Sequence, residues 1–311
     1  MNRPKQIAVI GTGAVGGYYG ALLQRAGFDV HFLLHSDYEQ VRDHGLRIES
    51  PAGDFQLTHV NAYRDPAKMP RCDVALIALK TTANPALPGI LPHVLKPDGL
   101  ALTLQNGLGS EDEVAGIIGS DRVSGGLCFL CSNKVGPGHI RHLDYGRITL
   151  GEYRADGSPG GCTPRLRRLG AAMESAGIPI NLVDDLLLAR WKKLVWNIPF
   201  NGLSVVQDCL TDQLFKDPAT NRLCATLMQE VAAAAGACAR PIDPAFITKM
   251  QADTEQMKPY APSMKLDFDH GKPMELESIY GHPLRAATAA GIEMPETEKL
   301  YQQLRGMNPA D

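Results

Sequence analysis

The segment Gly11–Gly16, GTGAVG, is the feature that most limits how this chain can fold. It follows the apolar run IAVI and opens AVGGYYGALLQRAG, a stretch with helical spacing. In such a strand–turn–helix unit, glycines allow a tight turn, a close approach to a pyrophosphate, and close packing of helix on strand. The N–H groups at the helix start then hold the anion. This context favours dinucleotide binding over an ordinary glycine-rich turn. The expected contacts are Gly11, Thr12, Gly13, Ala14, Val15 and Gly16.

Strand-like and helix-like segments alternate through the first part of the chain. DVHFLLH, CDVALIALK and GLALTLQNG are typical of buried strands, LRIESPAGDFQLTHVNAY of a hairpin-like excursion, and residues 84–95 of a helix. From about Asp185 onward the segments are helical and strand signals disappear. We therefore predict an α/β fold with a Rossmann-type dinucleotide-binding domain in residues 1–185. A second, all-helical domain in residues 186–311 is expected to bind substrate and carry catalysis.

Charge and composition exclude several classes of function. The formal net charge of −3 gives no electrostatic case for binding nucleic acid or an anionic membrane. The start, MNRPKQIAVIG, has no apolar segment followed by a small-residue cleavage site, and no stretch approaches the roughly 20 apolar residues of a membrane span. The 7 cysteines are an odd number scattered through a long chain, which is typical of reduced thiols. We expect a cytoplasmic protein.

Cys128 and Cys131, in CFLC, are the one close cysteine pair. They lie within the strand-like run SGGLCFLCS, whereas a redox pair would open a helix. A zinc site needs further ligands at suitable spacing, and the nearest candidates, His139 and His142, do not form a convincing set. We expect packed free thiols and no metal site.

The residues after the second strand bear on which dinucleotide binds. An acidic residue about 20 positions past the glycine loop favours the ribose hydroxyls of NAD, and a basic one accepts the 2′-phosphate of NADP. Here the sequence is His35, Ser36, Asp37. His35 and Ser36 can serve a phosphate and Asp37 can serve a ribose, so both cofactors remain open at this point.

Polar residues also end two later strands of the predicted sheet. Lys80 ends DVALIALK and Asn106 follows GLALTLQ, and in open parallel sheets ligands bind beyond these carboxyl ends. Alone, Lys80 also fits a solvated strand end, and Asn106 a turn residue before Gly107. We expect both to face the cofactor crevice.

RWKKLVWNIPFN places three polar residues on one stripe of a helix. Lys193, Asn197 and Asn201 are four residues apart and so share a face, which needs polar partners if it is buried. Pro199 cannot donate to the carbonyl of Val195, so we expect an interruption or kink there. The stripe either staples the fold internally or faces a cleft that binds a polar molecule.

Together these segments resemble the ketopantoate reductase (2-dehydropantoate 2-reductase) family along essentially the whole chain. The matching pieces are GTGAVGG, ALKT, LQNGLG, KLVWNIPFN and PSMKLDFDHGKPMELESIYG. The last piece is the most specific, because Ser263, Asp267, Gly271 and Glu275 fall in the family's order and spacing.

The resemblance implies a reduction of a branched 2-keto acid by NADPH, most specifically of ketopantoate to pantoate in pantothenate biosynthesis. The implied catalytic residues are Lys193, which matches the general acid, and Glu275, which matches a glutamate near cofactor and substrate. Hydride attack builds negative charge on the ketone oxygen, which an ammonium stabilises and neutralises. The implied substrate-binding residues are Asn106, Asn197, Asn201 and Ser263. Besides the glycine loop, the implied cofactor-binding residues are Ser36, Lys80, Asn106 and Glu275.

Two departures from the family pattern concern the cofactor and the glutamate. His35 stands where an arginine that grips the 2′-phosphate is usual, so NAD is not excluded; Ser36 and Arg42 are possible compensations. MELES replaces the usual Thr-Glu-Ile-Asp, which retains Glu275 beside Met274.

Two other functions fit parts of the sequence. A β-hydroxyacid dehydrogenase shares the architecture, but that group has a glycine-rich stretch before its lysine, and DDLLLARWKK has none. A regulatory protein that senses NADP(H) would not need the polar stripe together with Ser263 and Glu275. The expected partners are a small 2-keto acid and, by analogy of fold, a second copy in a homodimer.

Overall fold

The computed structural model describes residues 4–308. Residues 1–3, in the basic segment before the first strand, and residues 309–311 lie outside that range. The chain divides into two compact units. The first contains the residues up to Gln105 together with Ser110–Leu186, and the second contains Asn106–Gly109 and the residues from Leu187 onward. The loop Asn106–Gly109 thus belongs to the second unit. The boundary at residue 185 that we expected from the sequence places this loop in the first domain.

A mixed sheet of ten strands forms the first unit. Its strands are β1 (Gln6–Ile10), β2 (Asp29–Leu33), β3 (Leu46–Glu49), β4 (Phe55–Leu57), β5 (Asn61–Tyr63), β6 (Cys72–Ile77), β7 (Leu95–Thr103), β8 (Val123–Gly136), β9 (His139–Glu152) and β10 (Ile180–Val183). Their order is β4-β3-β9-β8-β7-β6-β1-β2-β5, and β10 pairs with β9. The run from β8 to β5 is parallel, while β8–β9 and β3–β4 are antiparallel hairpins. The expected α/β fold and the hairpin-like excursion are confirmed.

Apolar residues cover both faces of this sheet, as a parallel sheet requires. In β1, Ile7 and Val9 pack in one buried cluster, and Ala8 and Ile10 pack in another. Successive side chains of a strand point to opposite faces, so the continuous run IAVI supplies both clusters.

Helices flank the strands of the first unit. They are α1 (Ala14–Arg25), α2 (Tyr38–His44), α3 (Leu91–Val94), α4 (Ser110–Ile118) and α5 (Pro164–Glu174), with short 3-10 segments at Pro66–Lys68, Thr81–Gly89 and Ser120–Arg122. The prediction of a helix at residues 84–95 is wrong, because a 3-10 segment and the one-turn α3 occupy most of this range. Pro85 and Pro88 remove backbone donors that a continuous α-helix needs.

The described residues of the second unit contain helices and loops but no strand. The helices are α6 (Leu186–Val206), α7 (Thr211–Leu214), α8 (Pro218–Ala237), α9 (Pro244–Glu255), α10 (Ser263–Asp269), a π-helical turn (Glu277–Gly281), α11 (His282–Ala289) and α12 (Pro295–Met307). Asp217 and Asp243 each accept N–H groups at a helix start, ahead of a proline in the first turn, which explains why α8 and α9 begin where they do. Among residues 4–308, no helix is long and apolar enough to cross a membrane.

Glu152, at the end of β9, is a buried carboxylate that joins three segments of the first unit. It accepts hydrogen bonds from Ser124 on β8 (2.9 Å), from Thr163 at the start of α5, and from Arg165. Burial alone would raise the pKa of Glu152, but Arg165, Thr163 and Ser124 together lower it below its ordinary value. The ionised form is therefore the one that stabilises the fold.

We expect Glu152→Gln to lower the free energy of unfolding at neutral pH by about 1–3 kcal/mol, the usual cost of breaking a buried charged hydrogen-bond set. Because the folded-state pKa is lowered, this stabilisation is present above the unfolded-state pKa and is lost as pH falls through the folded-state pKa. The difference in free energy of unfolding between wild type and variant should thus become smaller as the pH falls. Urea unfolding at several pH values measures this difference, and the control is Glu174→Gln, at an exposed position. A difference that does not change with pH would contradict this role of the Glu152 carboxylate.

Candidate functional site

The glycine loop between β1 and α1 has the geometry of an anion site. Gly11 has φ +94°, and a Cβ on it would lie 2.6 Å from the amide nitrogen of Leu79. A Cβ on Gly16 would lie 2.2 Å from the carbonyl oxygen of Gly11, whereas a Cβ on Gly13 would meet nothing within 4 Å. No side chain caps α1 at Gly13 and no acidic residue lies in its first turn. The helix start is open to an anion, and these features fit a dinucleotide pyrophosphate.

Two side chains fix this loop from its flanks. The Thr12 hydroxyl donates to the carbonyl oxygen of Leu33 at the end of β2 (3.1 Å). The Ser132 hydroxyl, on β8, donates to the carbonyl oxygen of Ala14 (3.4 Å). The loop is therefore tied both to the strand that precedes His35 and to the long β8–β9 hairpin.

The three residues that bear on cofactor choice differ sharply in exposure. His35 and Ser36 are exposed, but Asp37 is buried. Asp37 accepts hydrogen bonds from the Lys134 ammonium (2.6 Å), the Gly138 N–H (3.0 Å) and the Ser36 hydroxyl (3.1 Å). From the sequence, the Asp37 carboxylate could bind a ribose. In the structure it accepts hydrogen bonds from the protein itself.

Lys80 lies just beyond β6, at the start of the 3-10 segment Thr81–Gly89, with an exposed side chain. The turn before it is held by Gln105, whose amide nitrogen donates to the Leu79 carbonyl oxygen (2.9 Å) and to the Asn84 side-chain oxygen (2.6 Å). This polar support keeps Lys80 at the carboxyl end of the sheet, where sequence placed it.

In the second unit, Lys193 meets a residue from a distant part of the chain. Its ammonium donates to the side-chain oxygen of Asn106 (2.8 Å). The lysine lies on α6 and the asparagine in the loop Asn106–Gly109. Two polar residues singled out separately in the sequence therefore form one pair.

The loop that carries Asn106 is held by the π-helical turn. The Leu108 N–H donates to the Ser278 carbonyl oxygen (2.8 Å). Gly107 has φ +83°, and a Cβ there would lie 2.1 Å from the same oxygen. Position 107 thus needs glycine both for its backbone conformation and for this close approach.

The stripe on α6 continues inward from Lys193. Asn197 and Asn201 are only 4% and 2% exposed. The Asn201 side-chain oxygen accepts from the Met264 N–H (3.3 Å) at the start of α10, whose first residue is Ser263. The stripe is therefore partly a staple, since Asn201 fixes the helix that presents Ser263.

Glu275 is buried and lies two residues before the π-helical turn. Its backbone oxygen accepts from the Ile279 N–H (3.2 Å) and the Ser278 hydroxyl (3.4 Å). The segment after α10 therefore carries Glu275 directly into the turn that holds the Asn106 loop.

Tyr280 is a structural residue of this site that sequence reasoning missed. Its buried hydroxyl donates to the Ile198 carbonyl oxygen (2.8 Å). Tyr280 therefore adds a hydrogen bond to the backbone of α6 next to Pro199. The helix continues through Pro199 to Val206, so the interruption expected there is wrong.

Position along the chain gives no signal for this contact, because Tyr280 lies 82 residues from Ile198. The only hint is Gly202, three residues after Pro199, where a Cβ would lie 2.5 Å from the Tyr280 hydroxyl oxygen.

We expect Tyr280→Phe to destabilise the protein by about 1–3 kcal/mol, because it removes a buried hydrogen bond to the backbone of α6. We also expect a higher KM for the substrate, since Ile198 lies between Asn197 and Asn201. Urea unfolding and steady-state kinetics measure the two effects. The matched control is Tyr301→Phe, whose ring stacks on Tyr280 but whose hydroxyl donates to the Glu277 side chain. Equal behaviour of the two variants would rule out this role of the Tyr280 hydroxyl.

Within residues 4–308, no group of three or more histidine, cysteine, aspartate or glutamate residues could hold a metal ion. Cys128 and Cys131 are half-buried on β8, and the Cys128 thiol donates to the Leu104 carbonyl oxygen (3.9 Å). The pair lies in a strand, as the sequence predicts.

Comparison with known proteins gives consistent matches over both units. The family model "Ketopantoate reductase PanE/ApbA" matches residues 7–155, and "Ketopantoate reductase PanE/ApbA C terminal" matches residues 185–308. A 2-dehydropantoate 2-reductase of a Nostoc species is 55% identical over 305 residues, covering 98% of this chain and 95% of its own.

Two solved structures extend these matches to the fold. The 2-dehydropantoate 2-reductase of Geobacter metallireducens superimposes with a TM-score of 0.93 at 41% identity, covering 97% of this chain and 99% of that one. A D-mandelate dehydrogenase with NADH and anilino(oxo)acetate has a TM-score of 0.87 at 20% identity, with 97% and 98% coverage. The second match shows a shared fold alone.

Proposed function

This chain belongs to the ketopantoate reductase PanE/ApbA family, and we propose that it catalyses the NADPH-dependent reduction of ketopantoate to pantoate. The observation that carries the proposal is the hydrogen bond from the Lys193 ammonium to Asn106 (2.8 Å). The Lys193 ammonium is a cationic proton donor, and the next turns of the same helix carry the buried amides of Asn197 and Asn201. A ketone that becomes an alkoxide needs such a donor.

The residues of the first unit account for cofactor binding. The backbone N–H groups at the start of α1 hold the pyrophosphate, and the open space at Gly13 lets the diphosphate approach. Lys80, exposed at the carboxyl end of the sheet, adds a positive charge for the cofactor. When bound, NADPH supplies the hydride that attacks the keto carbon.

Lys193 supplies the proton that the ketone oxygen takes up. The ammonium stabilises the developing alkoxide and then protonates it. Asn106 accepts from this ammonium and fixes its direction. Neutral amides beside it do not compete for the proton.

The remaining residues orient the substrate. We propose that Asn197 and Asn201 hydrogen-bond it, that Ser263 binds its carboxylate, and that Glu275 lies near both substrate and cofactor. The support is the burial of Asn197 and Asn201 on α6, the burial of Glu275, and the Asn201–Met264 contact that places α10 with Ser263. A 2-keto acid offers a carboxylate and a keto oxygen, which is the polar pattern these groups match. A cytoplasmic location and a homodimer remain predictions from sequence.

The substrate and cofactor are tested together in one assay. We expect the purified protein to oxidise NADPH with ketopantoate at a kcat/KM at least about tenfold above that with other branched or aromatic 2-keto acids, since contacts with one methyl group are worth about that much. We expect NADH to be a poorer cofactor. The absorbance of the reduced nicotinamide measures both. A higher kcat/KM with another 2-keto acid would identify a related reductase, and no turnover with any of them would refute the proposal.

We expect Lys193→Met to lower kcat by about 100-fold or more, because general acid catalysis is worth at least that much. NADPH binding, followed by fluorescence titration, should change little, because the residues proposed to hold the cofactor remain.

The matched control is Lys192→Met on the same helix, whose ammonium lies 5.4 Å from the centre of the Phe246 ring. This variant should retain kcat. Wild-type turnover in Lys193→Met, or an equal loss in both variants, would remove Lys193 from the mechanism.

A further inference from the structure

The Asp37 carboxylate stands where a dinucleotide fold reads the adenosine ribose. In such folds an acidic residue beyond the second strand binds the ribose hydroxyls of NAD. Asp37 follows β2 by four residues and directly precedes α2. A free carboxylate here would favour NAD and would repel a 2′-phosphate.

This carboxylate is not free. One of its oxygens accepts from the Lys134 ammonium (2.6 Å) and the Ser36 hydroxyl (3.1 Å), and the other accepts from the Gly138 N–H (3.0 Å). Its side chain is 7% exposed. Burial alone would raise the pKa of Asp37, but the Lys134 ammonium, the Gly138 N–H and the Ser36 hydroxyl lower it below its ordinary value. The group is an anion with both of its oxygens hydrogen-bonded by the protein.

Its partner comes from the β8–β9 hairpin, 97 residues along the chain. Two residues before Lys134, the Ser132 hydroxyl donates to the Ala14 carbonyl oxygen in the glycine loop (3.4 Å). Beyond the hairpin turn, Ile140 pairs with Ile48 of β3. Lys134 is thus held beside both the anion site and the segment after β2, within one unit. Its side chain is 35% exposed, so the ammonium also faces solvent.

We propose that Lys134 is a specificity-determining residue, which favours NADPH over NADH by keeping Asp37 engaged and neutralised. This inference rests on the proposed function. With Lys134 in place, ribose hydroxyls find no free carboxylate and a 2′-phosphate meets no net negative charge. The ammonium acts through Asp37, so Lys134 is a positioning residue and not a catalytic one.

The test uses binding of the two adenosine halves of the cofactors, which needs no turnover. Calorimetry compares adenosine 2′,5′-bisphosphate with adenosine 5′-monophosphate on the full chain. We expect wild type to prefer the bisphosphate. Lys134→Met should weaken the bisphosphate by about tenfold or more, because the unpaired Asp37 carboxylate then repels the 2′-phosphate, with little change or a gain for the monophosphate. NADPH and NADH titrations should show the same split.

Two further variants test whether Lys134 acts through Asp37. Asp37→Asn removes the repelling charge, so the double variant Lys134→Met/Asp37→Asn should recover most of the bisphosphate affinity that Lys134→Met loses. Lys134→Arg keeps the cation and should retain the preference. The matched control is Lys96→Met, because Lys96 bonds Asp73 at 2.7 Å with the same 35% side-chain exposure, and Asp73 also accepts the Gln6 N–H at the start of β1. This control should leave both affinities unchanged.

Each contrary outcome has a separate meaning. A wild type without preference for the bisphosphate would overturn the NADPH assignment and this inference with it. A Lys134→Met variant that binds both ligands equally less tightly, and so keeps the preference, would overturn the inference and leave the proposed function standing. A double variant no better than Lys134→Met would show that Lys134 does not act through Asp37.

Discussion

The approach of Gly107 to the Ser278 carbonyl is the contact on which the polar groups of the second unit depend. It seats the loop Asn106–Gly109 on the π-helical turn, and the Leu108 N–H completes the attachment. Asn106 then accepts from Lys193. Through Tyr280, the same turn also contacts the backbone of α6, the helix that carries Lys193. One irregular turn therefore contacts both elements that carry the Lys193–Asn106 pair, and π-helical turns are frequent at functional sites.

In the first unit, too, contacts from a distant part of the chain determine the site. The glycine loop is preorganised for an anion, but Asp37, which bears on cofactor choice, is held by the β8–β9 hairpin far along the chain. Asp37 reads as a ribose ligand from its position alone. Its hydrogen bonds to Lys134 and Gly138 reverse that interpretation. The local sequence after β2 is therefore insufficient to assign a cofactor to this chain.

Features carried by local pattern were predictable from sequence, and features carried by distant contacts were not. The strand–loop–helix unit at Gly11–Gly16, the switch to helices near residue 185 and the polar stripe on α6 all follow from periodicity and spacing. The prediction of a helix at residues 84–95 was wrong, although Pro85 and Pro88 in the sequence argue against a continuous helix. The contact between Tyr280 and α6 follows no sequence pattern, because its partner Ile198 is 82 residues away along the chain. Packing, not periodicity, determines that contact.

The reach of the β8–β9 hairpin has a consequence for the modular use of this fold. A fragment that ended after β7 would retain the glycine loop and the parallel core strands. It would lack Ser132 against Ala14, Gly138 against Asp37, and the strand that pairs with β3. The smallest autonomous nucleotide-binding module therefore extends at least through β9 and, because β10 pairs with β9, through Val183. Excision or grafting of this module has to respect that limit.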